Sequence, residues 1–468
     1  MASQMNVSIS NASPAGFEEQ LVFGSLMKRL LSKIVPSLCL PLLSFIALAL
    51  LPAVANAQVD IYVRGAGKLI PVSVPQLCAE SSEGIEAAKE IARVVGRNLD
   101  VSGYFEVIAP GSYIESPGKC TPQTGFAYSD WSVLGTEGLV KGVVRNEGGL
   151  ITVQLYLHDV PKQRVVLGKE YNGDSAQIQL IAHRFSNEVM KFFTGEGGPF
   201  GSRIAFSSRV GRFKELFVME MDGSGARQLT NERGLAVSPS WHPGGTSLVY
   251  TSYRSRVPDL FILDLFSRQV RQVTRGEALE ISPHFSPDGL QIIASRTAER
   301  DSDLVMLNLD GTIGKKLTRG GGAINVSPNW SPDGNQLVFC SNRGGGPQIY
   351  TMGADGTNAK RVSFVNSSYC TSPSWSPRGD KIAFVCRFDR GFQIFTSAPD
   401  GSNPLQLTTT GDNEDPDWSP DGRYLTFATT FGKGPVFNIG LMRADGSNVR
   451  QLTSSRGGDF EPTWGPLP

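Results

Sequence analysis

Pro328-Asn329-Trp330-Ser331-Pro332-Asp333-Gly334 is one copy of a phrase that the second half of the chain repeats six times, most copies closing on a Ser-Pro-x-Gly turn. Its aromatic falls at Trp241, Phe285, Trp330, Trp375, Trp418 and Trp464, at intervals of 43 to 46 residues, and a proline stands two positions before each. Self-similarity at that period is the mark of stacked β-blades.

The rest of the repeat supplies the anatomy of a blade. About five residues after the aromatic comes an apolar strand, as in Leu248-Val249-Tyr250 or Leu337-Val338-Phe339. The turn between the two strands is Asp-Gly at 288–289, 333–334 and 421–422, where Asp bonds its own backbone and Gly accepts a positive φ. A third strand runs into a second Asp-Gly turn, at 222–223, 310–311, 355–356, 400–401 and 445–446. A fourth closes the unit, reading Arg-Gln-Leu-Thr at 227–230 and 450–453. Four short strands per repeat predict a six-bladed all-β propeller over 203–468. Trp464 has no strand after it, while Ile204-Ala205-Phe206 has no Pro-x-Trp before it. The C-terminal strand is therefore expected to join the sheet begun at Arg203 and close the ring.

The 468 residues are 40% hydrophobic and 19% charged, with zero net charge, enough for two or three globular domains. Met27-Lys28-Arg29 and Lys33 precede an apolar stretch from Ile34 to Val54 that ends in Ala55-Asn56-Ala57. This reads as a secretory signal peptide over 1–57, cleaved before Gln58, with Met27 as an alternative start; the rival reading is an uncleaved anchor. Past residue 57, 41 basic residues face 42 acidic ones, which gives no footprint for nucleic acid. Export would let disulfides persist. Cys370 and Cys386 flank the Ser376–Gly379 turn almost symmetrically, so they could bridge across a hairpin or, with Cys340, be small buried hydrophobes. Cys78 and Cys120 are the N-terminal pair that could bridge. No cysteine spacing suggests a metal or redox centre.

Between Gln58 and residue 197 the phrase is absent, and a small α/β domain with its helices on one sheet face is expected, joined to the propeller by a linker at 198–202. Ile85, Ala88, Ile91, Ala92, Val95 and Leu99 recur at helical spacing. So do Ile178, Ile181, Ala182, Phe185, Val189 and Phe192, after a cap at Asp174 or Ser175. Strands are predicted at 104–109, 139–144 and 150–157, the last two forming a hairpin.

Catalytic chemistry finds little support. There is no Gly-x-Ser-x-Gly, and none of the four histidines (158, 183, 242, 284) has a triad-like setting. Gly320–Gly322 and Gly344–Gly346 lack the Lys-Ser/Thr of a phosphate loop and read as connectors. The one charged constellation is acidic: Asp412, Glu414 and Asp415 before Trp418, and Asp459 and Glu461 before Trp464. Converging at a channel mouth, these would suit a calcium ion or a basic peptide; otherwise they form a solvated loop surface.

The α/β domain after an export signal, Ala182-His183-Arg184-Phe185 leading to Gly195, Arg203-Ile204-Ala205-Phe206 and the six repeats together resemble the TolB family, the periplasmic components of the Tol-Pal system. The resemblance covers nearly everything from Gln58 to Pro468. It implies a monomeric, non-enzymatic scaffold that supports outer-membrane integrity and cell division, with no cofactor, or else calcium at the channel. The peptidoglycan-associated lipoprotein would dock at the channel mouth, on Leu279, Glu280, Asn325, Val326, Asp415 and Glu461. TolA would bind the mature N-terminus, Gln58, Val59, Asp60, Ile61, Tyr62, Val63 and Arg64, whose alternation suits an added strand. The alternative class is a secreted propeller hydrolase or carbohydrate-binding module.

Truncation after Gly457 removes the strand that is expected to close the ring, and should abolish a single cooperative thermal transition. A melt like that of the full chain would rule this closure out.

Overall fold

The computed structural model describes residues 68–114, 125–255, 257–298, 301–319, 321–389 and 391–468. The signal segment, Gln58–Arg64 and Cys120 lie outside these. The N-terminal part carries β1 (Ile70–Ser73), β2 (Cys78–Ala79), α1 (Ile85–Val101), β3 (Phe105–Val107), α2 (Tyr128–Ser132), β4 (Gly138–Glu147), β5 (Leu150–Asp159), β6 (Arg164–Gly173) and α3 (Ile178–Thr194). Its mixed sheet has the order β3-β1-β4-β5-β6, with β2 also on β4; β1 runs parallel to β3 and β4, and β4, β5 and β6 form an antiparallel meander.

Both long helices begin and end for local reasons. Asp174 and Gln177 make a reciprocal capping box, the Asp174 carboxylate accepting from Ala176 N at 2.9 Å and Gln177 Oε1 accepting from Asp174 N at 3.2 Å. Gly195 ends α3 in the left-handed region at φ 85°, where a side chain would be strained. The apolar stripes of α1 and α3 pack with Val140, Val144, Val153 and Leu155 of the sheet. The opposite sheet face is not bare as expected: α2 lays Trp131 on Leu139 and Val160, and the Lys141 ammonium sits 5.0 Å from the Phe126 ring centre. Strand β6 escaped prediction because most of its residues are exposed or half-exposed, so it carries no clean apolar alternation.

Six four-stranded sheets follow. Blade 1 combines Asp459–Trp464, Arg203–Val210, Phe213–Glu220 and Arg227–Gln228, with Trp464 opposite Ile204 and Asp459 opposite Ser208. The C-terminal strand thus closes the ring as the missing phrase required. Blades 2 to 6 begin at Ala236, Leu279, Asn325, Cys370 and Asn413.

Two repeated devices account for the rest of the motif. The closing Thr or Ser of each fourth strand accepts a backbone N–H from the third: Thr230 from Leu216, Thr274 from Leu260, Thr318 from Leu304, Ser363 from Ile349, Thr408 from Ile394 and Thr453 from Ile439, all at 2.9–3.0 Å. These buried donors would otherwise lack partners, which costs about 1–3 kcal/mol each. The second Asp-Gly turn instead joins neighbouring blades. A Cβ on Gly223, Gly356 or Gly401 would lie 2.5–2.6 Å from the carbonyl oxygen of Leu452, Leu317 or Val362 in the preceding blade. The Asp shapes the turn and the Gly lets the blades touch. In blade 5 a disulfide joins Cys370 to Cys386, which face each other across the first two strands with Cα atoms 4.1 Å apart. Cys340 stays a buried thiol beside it, donating to Cys370 O at 3.4 Å.

The segment 195–202 is no passive linker. Phe200 is buried, Trp464 Nε1 donates to Ser202 Oγ at 2.7 Å, and Glu196 Oε2 takes Arg423 at 2.8 Å and Arg378 at 2.5 Å. One apolar cluster runs from Leu99, Val101 and Phe185 into Ile204, Met219, Tyr424, Leu441 and Trp464, so the two domains share a core. Tyr424 Oη donates to Ser102 O at 3.0 Å within it. No helix among the described residues is long and apolar enough to cross a membrane.

Gly356→Ala should cost about 2 kcal/mol, since the methyl group meets Leu317 O while φ is +86°. Denaturant unfolding checks it; stability equal to the parent would refute the close-approach account.

Candidate functional site

Each innermost strand carries the same backbone irregularity. Ser238, Ser282, Ser327, Ser372, Asp415 and Glu461, each directly before a proline, adopt φ between 47° and 52°. The ladder slips at all six places, so that two residues oppose one on the next strand. Positive φ is disfavoured for residues with a Cβ, and six repetitions of it mark a constraint built into the ring. The bulge turns these six side chains into the central channel, a cavity of about 230 Å³. A second tier, one residue before the aromatics, includes His284, Asn329, Ser374, Asp417 and Thr463. Further along the axis the ring of aromatics, with Pro287, Pro332, Pro377 and Pro420, lines a space of about 240 Å³.

Backbone symmetry carries unequal chemistry. Four positions of the strained ring are serine; the fifth and sixth, on adjacent blades 6 and 1, are Asp415 and Glu461. Glu461 Oε2 accepts from Ser207 Oγ at 2.8 Å and from Ser238 N at 3.0 Å. Asp415 Oδ1 accepts from Ser372 Oγ at 2.8 Å. Burial, with the neighbouring carboxylates of Glu461 and Glu414, pushes Asp415 up to about 7, against the smaller opposing effects of the Ser372 bond and Lys214. Asp417 ties three blades together, accepting from Ser374 Oγ at 2.8 Å, Trp464 N at 2.8 Å and Thr463 Oγ1 at 3.1 Å. His284 is a wall residue and not a turn residue: its Nε2 lies 2.9 Å from Asn329 Nδ2, and burial holds its pKa below the usual value.

The sequence-derived docking set divides accordingly. Asp415 and Glu461 line the channel, Leu279 is 38% exposed at the rim and Val326 is half-buried. Glu280 and Asn325 are not surface contacts. They are 5% and 1% exposed and serve inside the blades, Glu280 paired with Arg296 at 3.0 Å and Asn325 donating to Ser302 O at 3.0 Å. The bulge is the cause, because its extra residue reverses the side-chain alternation for everything before it on the strand.

The same reversal buries Asp459. Asp412 is used locally, accepting from Phe392 N at 3.0 Å. The five acids therefore do not converge as a calcium ligand set, and among the described residues no group of three or more His, Cys, Asp or Glu could hold a metal ion. The strained ring itself escaped sequence reading, although Ser-Pro, Asp-Pro or Glu-Pro at one fixed offset from every aromatic was its visible signal.

A ring of six blades around an open, unevenly charged channel, seated on an α/β domain, places the chain among the two-domain β-propeller proteins. Residues 190–468 match the family described as the TolB beta propeller domain, and residues 57–166 match the TolB amino-terminal domain. The chain belongs to the TolB family. Curated relatives named Tol-Pal system protein TolB include that of Syntrophotalea carbinolica, 36% identical over 203 residues, and that of Anaeromyxobacter dehalogenans, also 36% over 203 residues. These matches cover 42–43% of this chain and 46% of each relative, about half its length. The crystal structure of TolB from Acinetobacter baumannii is similar with a TM-score of 0.73 and 25% identity, covering 86% of this chain and 97% of that one.

Asp415 has its pKa raised on folding, so its contribution to stability is complete below about pH 4 and is lost as pH rises through about 7. Asp415→Asn should flatten the fall in thermal midpoint between about pH 4 and about pH 7; an unchanged slope would remove Asp415 as its source.

Proposed function

We propose that this protein is a periplasmic interaction scaffold of the Tol-Pal system and not an enzyme. Its channel mouth takes the peptidoglycan-associated lipoprotein, and Gln58–Arg64 offers TolA a strand; together they support outer-membrane integrity and cell division. The observation that carries this reading is the strained six-residue ring, which keeps polar side chains, two of them acidic, pointed into an open channel. Family membership supports the Tol-Pal assignment. The histidines fit a non-catalytic reading: His183 Nδ1 lies 3.0 Å from Asn98 Nδ2 in the domain interface, His158 Nδ1 lies 2.9 Å from Tyr128 Oη, and His242 stacks edge-on against Phe285.

Immobilised mature protein should capture a peptidoglycan-associated lipoprotein from periplasmic extract, and Ser282→Trp, which fills the channel, should abolish that capture. Deleting Gln58–Arg64 should remove TolA binding and spare the lipoprotein. Equal loss of both partners would defeat the division of labour, and turnover of peptide or glycoside substrates would return the chain to the enzyme class.

A further inference from the structure

Blades 2 and 4 share a Ser-x-Arg step after their second strand, Ser252-Tyr253-Arg254 and Ser341-Asn342-Arg343, each arginine thirteen residues past its blade tryptophan. The two guanidinium groups are held alike. Arg254 Nε donates to Ser252 Oγ at 3.4 Å and its Cζ lies 4.2 Å from the Phe261 ring centre; Arg343 Nε donates to Ser341 Oγ at 3.0 Å and its Cζ lies 5.0 Å from the ring centre of Phe339 and 5.1 Å from that of Tyr350.

Their counter-charges differ. In blade 2 the carboxylate of Glu232 accepts from Arg254, Tyr250 and Ser252 and neutralises the site. In blade 4 the guanidinium meets only neutral oxygens, Ser341 Oγ and Asn325 Oδ1, the latter at 2.9 Å. In sequence, the stretch corresponding to the one that carries Glu232 and Arg233 is Arg319 to Ala323; it keeps one arginine and contains no acid. Gly321 and Gly322 hold it at φ 81° and 75°, and a Cβ on either would meet nothing within 4 Å.

The result is an open groove of about 880 Å³ on the flank between blades 3 and 4, bordered by Lys315, Lys316, Arg319, Arg343 and a single acid, Asp355. Lys316 is answered by Asp303 at 2.6 Å; Asp355 is exposed and accepts from Thr357 N and Oγ1, bonds that, with the nearby charge of Lys315, hold its carboxyl below the usual range. Among the described residues no ion pair joins Lys315, Arg319 or Arg343 to an acid.

We propose that this groove binds an acidic polypeptide segment, whose Glu or Asp carboxylates meet the exposed guanidinium of Arg343 beside Asn325, the residue that holds in blade 4 the place Glu232 holds in blade 2. In the sister blade the same serine, arginine and ring hold a carboxylate; here Ser341 Oγ and Arg343 donate to the neutral Asn325 Oδ1 instead, at 2.8 and 2.9 Å, which leaves the charge of the arginine unanswered. The groove far exceeds the volume of one carboxylate, and its three separated cations call for several charges in line. Arg343 is already fixed by its serine and rings, so little ordering is lost when a carboxylate arrives. The groove lies outside the channel ring and does not rest on the channel's partner.

Titrating the full chain with a hexaglutamate peptide at low ionic strength should give saturable binding that weakens as salt rises. Arg343→Gln should weaken it about tenfold or more, and the Lys315→Ala/Arg319→Ala pair, at exposed positions, should weaken it severalfold and shallow the salt dependence. Arg254→Gln should leave it unchanged. No binding of the peptide, equal binding by both groove variants, or a groove that takes inorganic pyrophosphate but not hexaglutamate would overturn the proposal.

Discussion

The antiparallel pairing of Asp459–Trp464 with Arg203–Val210 is the contact on which the remainder of the propeller depends. A blade series that stopped short of it would leave two open edges, each with a row of unpaired backbone groups. Closure removes both at once and fixes the ring's circumference, which holds the six inner strands around one axis. The same strand reaches outward as well: Trp464 bonds Ser202 and stands 6.4 Å from the Tyr424 ring, within the core shared with α1 and α3. Sealing the ring and seating the N-terminal domain are therefore one packing event, carried by the last few residues of the sheet.

Charge reinforces that seat. Arg450 pairs with Asp100 at 2.5 Å and Arg97 with Asp222 at 3.0 Å, around the apolar contact of Tyr424 with the end of α1. An exposed pair such as Arg450–Asp100 contributes about 0–1 kcal/mol, so the buried apolar area decides the stability of the seat. The domain occupies the face that bears the Asp-Gly turns. The opposite face, where the inner strands begin, bears the channel mouth and the Arg343 end of the groove, whose other end lies at the Asp355-Gly356 turn.

Much of the architecture was legible because a propeller writes its period directly into the chain. Aromatic, turn glycine and closing threonine each recur with a packing reason, and the truncated first and last copies disclosed the closure. The α/β domain was legible where one face is apolar, as in α1, and illegible where neither face is, as in β6. The candidate site was read only by half. Asp415 and Glu461 fall in the channel, while Glu280, Asn325 and Asp459 are buried in the blades, because the bulge inverts the direction of the side chains before it on the strand. A short-range irregularity of one residue outweighed the long-range repeat.

The ring of pre-proline residues repeats one backbone shape six times, yet only two neighbouring positions are acidic. A chemically uniform ring would accept an axial ligand in six equivalent rotational settings. Placing Asp415 and Glu461 side by side removes that degeneracy, which by counting alone is about 1 kcal/mol of orientational ambiguity. The pseudo-symmetric scaffold thereby acquires a compass bearing: anything entering along its axis meets one distinguishable direction.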